Sequence, residues 1–176
     1  MAGLTFAFKR SLYTGNFGEL SSSWTESQAP VPYRWGNTGG DLVQSVKDKV
    51  VSVRKAWLDK GTALSNIAYN SARCFLFSMY ELGYNPSGST SGLGVGKNKD
   101  EMYLAFSSQG MTLSNNDKKN NEEIIPTIFS CSSGLWLRDR LEMTGGYFTT
   151  ACFVPGYGFL NQHNNISRNM IPGFCL

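Results

Sequence analysis

The hydrophobic period changes along this chain. Val43, Val46, Val50, Val53 and Trp57 recur at spacings of three and four residues, the period of one helical face. Leu135, Leu137, Leu141 and Met143 instead alternate with Trp136, Arg138, Arg140 and Glu142, with Asp139 as the exception, the period of two that a half-buried strand requires. Carrying both periods, the chain is expected to pack helices against a sheet.

The first pattern predicts a helix from Asp41 to about Asp59, with Gly39-Gly40 before it, Asp41 as N-cap or first-turn acid, and Gly61 after it. Valines are poor helix formers, so packing would have to stabilise it. A second helix is expected from Ala63 to Leu82, capped by Thr62 and stopped by Gly83 and Pro86, with Leu64, Ile67, Ala68, Phe75, Met79 and Leu82 at helical spacing. Its stretch Cys74-Phe75-Leu76-Phe77 is apolar all round, which indicates burial on more than one side. The short connection at Gly61 makes the pair an antiparallel hairpin.

Strands are expected at Thr5 to Phe8, at Ile124 to Phe129 (where Pro126 suits an edge or bulge), and at Tyr147 to Val154 after a Thr144-Gly145-Gly146 turn. For 132–143, helix and strand both remain open. The expected architecture is therefore α+β, with a helical hairpin (41–83) packed on a small, mostly antiparallel sheet from the C-terminal third. Residues 1–176 would form one domain: an extended arm (1–40), the hairpin, a loop-rich segment (87–121) and a β-rich segment (122–176).

Composition enters when function is asked. Charged residues are only 16% of the chain, against about 25% in an average soluble domain. Small polar residues replace them: Ser, Thr, Asn and Gly together make 64 of the 176 residues. Aromatics at 13% supply a core and exclude disorder of the whole chain. No apolar stretch nears the roughly 18 residues of a membrane span, and no basic segment leads into an apolar signal region near Met1. The expectation is synthesis without classical export, as for a virion component.

The formal charge of +3 is far from the concentrated basic stripe of a dedicated nucleic-acid binder. On the expected first helix, however, Lys47, Arg54 and Lys55, with Arg73 on the second, form a candidate phosphate-touching face; the same pattern also describes a solvated face. Cysteines stand at 74, 131, 152 and 175 without CxxC spacing, beside a single histidine. That excludes a structural zinc site, and no metal or cofactor is expected. Gly92-Leu93-Gly94-Val95-Gly96-Lys97 fails as a P-loop, because Ser91 stands where the first glycine belongs and Asn98 where the hydroxyl belongs.

Two functional readings follow. In the first, the chain is a self-assembling structural subunit of coat, filament or array type. Weakly charged polar surfaces pack against copies without strong repulsion, and Trp24, Tyr33, Trp35, Phe174 and Leu176 would supply contacts between copies. In the second, it is a small cysteine hydrolase using Cys131 or Cys74 with His163. The run Phe129 to Leu135 resembles the Cys-Ser-Gly-Leu helix start of NlpC/P60-type cysteine peptidases. That family has a Trp-Gly string shortly before its cysteine, whereas here 94 residues intervene between Tyr33-Arg34-Trp35-Gly36 and Cys131. The family is not carried over.

Overall fold

The computed structural model describes residues 4–11, 13–15, 42–58, 67–84, 103–110, 123–130, 133–144, 147–163 and 166–176. Nine strands run through them: β1 Thr5–Ala7, β2 Tyr13–Gly15, β3 Val53–Leu58, β4 Ile67–Ala72, β5 Leu135–Thr144, β6 Tyr147–Val154, β7 Gly158–His163, β8 Arg168–Met170 and β9 Gly173–Cys175. Described helix is confined to single turns: α1 Gln44–Lys47, α2 Leu104–Ser107 and α3 Ile125–Ile128.

The fold is mostly β, which overturns the helical hairpin expected over 41–83. In its place stand the one turn of α1 and an antiparallel β3–β4 pair in register from Val53↔Ala72 to Leu58↔Ile67. β-branched Val53 and Ile67, with Tyr69, suit a pleated surface better than a helix, and long-range pairing decides the outcome. Val51, for instance, donates its N–H to the Cys175 carbonyl at 3.0 Å. At 124–129 the expected strand is instead the turn α3, where Pro126 occupies the first helical positions; its missing N–H costs nothing there. Over 132–143, the residues from Leu135 onward are strand.

A five-stranded sheet has the order β2-β8-β5-β6-β7. β5–β6 and β6–β7 are antiparallel, and β8 meets β5 in parallel at Leu135↔Asn169. A second sheet joins the two ends of the chain, β1 antiparallel to β9, with Thr5 opposite Cys175 and Phe6 opposite Phe174.

The run from Cys74 to Met79 lies between these sheets and is buried throughout. Phe75 and Gly173 exchange backbone hydrogen bonds of 3.0 and 2.7 Å on one side, and Arg138 donates its N–H to the Phe77 carbonyl at 3.0 Å on the other. The core forms around it from Phe75, Leu76, Phe77, Phe129, Leu135, Trp136, Leu137 and Phe153. Phe77 is its hub, with ring centroids 5.6 Å from Phe129, 5.7 Å from Tyr103 and 5.9 Å from Phe75. Gly173 is required by this approach: a Cβ there would lie 2.8 Å from the Phe77 ring and 3.1 Å from the Phe6 carbonyl oxygen.

Candidate functional site

The strongest concentration of polar chemistry in the core surrounds Glu81. Ser78-Met79-Tyr80-Glu81 forms a reciprocal cap at the turn after the buried run. The Ser78 N–H donates to Glu81 Oε2 at 2.9 Å, and the Glu81 N–H donates to Ser78 Oγ at 3.1 Å. This is the geometry that a Ser-x-x-Glu sequence favours.

Three other segments converge on the same carboxylate. From β5, Arg138 donates to Oε2 at 2.5 Å and to the Leu76 carbonyl at 2.8 Å. From β3, Lys55 donates to Oε1 at 2.5 Å and to the Tyr103 hydroxyl at 2.7 Å. Tyr103, beside α2, donates to Oε1 at 3.1 Å. The Lys55 ammonium also sits 4.0 Å above the Phe75 ring, a contact that partly replaces lost hydration.

Burial raises the Glu81 carboxyl pKa, but the charges of Arg138 and Lys55 and their hydrogen bonds outweigh it and bring it down to about 2. Burial and the negative charge on Glu81 push the Tyr103 phenol above its ordinary range. Near neutrality, therefore, the carboxylate stays ionised and the phenol stays protonated. With both carboxylate oxygens engaged by two donors each, Glu81 acts as an ionic tie for four segments, and its basicity is too low for proton transfer. The tie reaches the chain ends: Thr5 hydrogen-bonds Tyr103, and its Oγ1 lies 3.2 Å from Cys175 Sγ.

The outer face of the β1–β9 sheet has the opposite character. Alternation along the strands, with Leu176 donating its N–H to the Leu4 carbonyl, places Leu4, Phe6, Phe8, Phe174 and Leu176 on that side. Phe6 stacks on Phe174 at 5.6 Å, and Phe8 tilts onto it at the same distance. Leu4 is 73% exposed and Phe6 39%, while Phe174 beneath them is 7% exposed. Of the expected assembly contacts, Phe174 and Leu176 thus share this stripe, with Phe174 largely covered by its own chain. Trp24, Tyr33 and Trp35 lie outside the described residues.

The expected basic face does not form as a helix face. Lys47 is half-buried in the last turn of α1. Arg54 and Lys55 are neighbours on a strand and so point to opposite sides. Lys55 turns inward onto Glu81, whereas Arg54, opposite Ser71, is exposed, as is Arg73 just past the end of β4. Lys55 is thereby separated from Arg54, and the four residues do not share one helix face.

Cys74, Cys152 and Cys175 are buried and not disulfide-bonded. Burial raises the Cys152 thiol, against a lowering pull from Arg168, and Cys74 is 1% exposed inside the core. Cys131 lies outside the described residues, and His163 ends β7, with the placement of its side chain likewise undescribed. Among the described residues no cluster of three or more His, Cys, Asp or Glu is placed to hold a metal ion, and no helix is long and apolar enough to cross a membrane. Sequence reasoning missed the Glu81 tie, although Glu81 is the lone charged residue between Arg73 and Lys97. No known protein family, curated protein or solved structure matches this chain.

Proposed function

We propose that this chain is a non-enzymatic, self-assembling structural subunit of the coat, filament or ordered-array type. The observation that carries the reading is the apolar outer face of the β1–β9 sheet, where Leu4 and Phe6 stand exposed in line with Phe8, Phe174 and Leu176. None of these five side chains carries a charge, so a second uncharged surface of the same chain can meet them without repulsion. A sheet face of this size is completed by further contacts in an assembly, and Trp24, Tyr33 and Trp35 are the aromatic residues assigned to them. In a coat, the exposed residues Arg54 and Arg73 are the cations assigned to nucleic-acid phosphates.

The test is native mass by light scattering across protein concentration and salt, with electron micrographs of the same fractions. Particles or filaments far above 19.4 kDa are expected, reduced in the Leu4→Ser/Phe6→Ser double variant. An absorbance ratio shifted toward 260 nm in the particle fraction, lost in Arg54→Ala/Arg73→Ala, marks bound nucleic acid. A strict monomer under every condition overturns the proposal.

A further inference from the structure

We draw no further inference here: the strongest candidate, the uncharged outer edge of β7 in the five-stranded sheet, has no strand partner among the described residues, and nothing in the structure shows what covers it.

Discussion

The two faces of the β1–β9 sheet are a residue apart in sequence and opposite in chemistry. On the inner side, Thr5 reaches Tyr103 and Cys175, and through Tyr103 it joins the carboxylate of Glu81 with two cations. On the outer side, Phe6 and Leu4 offer carbon to solvent. The inner face uses directional bonds that lose most when one member is removed, because the others are left buried without partners. The outer face uses non-directional burial that is only partly completed within one chain. Substitutions inside should therefore cost folding, and substitutions outside should cost association.

Glu81→Gln is the severest test of that contrast. It keeps the side-chain shape but leaves Arg138, 3% exposed, and Lys55, 15% exposed, without their counter-charge. Breaking a buried pair in this way costs about 3–5 kcal/mol, to be read from urea unfolding. Lys55→Met should cost less, about 1–2 kcal/mol, since Arg138 still neutralises Glu81 and the lysine is the more exposed partner. A Glu81→Gln variant as stable as wild type would show that the tie contributes nothing and would end the comparison.

The same tie predicts an acid limit. The Glu81 carboxyl lies below its ordinary value of 4.5, at about 2, so the folded state favours the ionised form. Its contribution is fully present above about pH 4.5 and is lost as pH falls toward 2. Thermal melts between pH 6 and pH 2 should show wild-type stability falling through that window. In Glu81→Gln the part of the fall due to this group should vanish, and parallel curves for the two proteins would contradict the assignment.

Gly173→Ala probes the seam between the two faces. The new Cβ meets the Phe77 ring at 2.8 Å, the Phe6 carbonyl oxygen at 3.1 Å and the Phe75 ring at 3.1 Å. Phe75 and Phe77 are both buried in the core, so the added methyl should cost about 1–3 kcal/mol, the range for overpacking. Chemical denaturation measures it, and an unchanged midpoint would mean that β9 does not lie this close to the buried run.

What could be read from the sequence follows the range of the interactions involved. The strand over 147–154 was legible from its β-branched and aromatic residues, a local signal, whereas the alternation over 135–143, broken at Asp139, left helix and strand both open. Even there the side assignment misled: Leu135, Trp136, Leu137 and Arg138 are all buried, and Arg138 is tied through both backbone and side chain to the buried run at 74–79. The helical spacing from Val43 to Trp57 is realised only in α1, because the pairing of Val51 with Cys175 and of β3 with β4 is non-local. Cys74 to Phe77 was legible as buried, but a short apolar run does not reveal whether it is helical or extended. For the tie, Ser78-x-x-Glu81 and the isolation of Glu81 in an apolar stretch were readable. Its partners Lys55, Tyr103 and Arg138 lie 26, 22 and 57 positions away, with no period linking them.

The smallest expected effect on folding is also the one that speaks most directly to function. Leu4→Asp changes a side chain that is 73% exposed, so folding stability should move by no more than about 0.5 kcal/mol. Because the β1–β9 outer face is a contact between copies in the proposed reading, a charge placed on it must be desolvated at every such contact. Association should therefore fall in the same sample whose melting curve is unchanged. Calorimetry and light scattering on one preparation read both quantities. Equal losses in the two would make the outer face a part of the fold. A loss in neither would move the contact between copies away from this face.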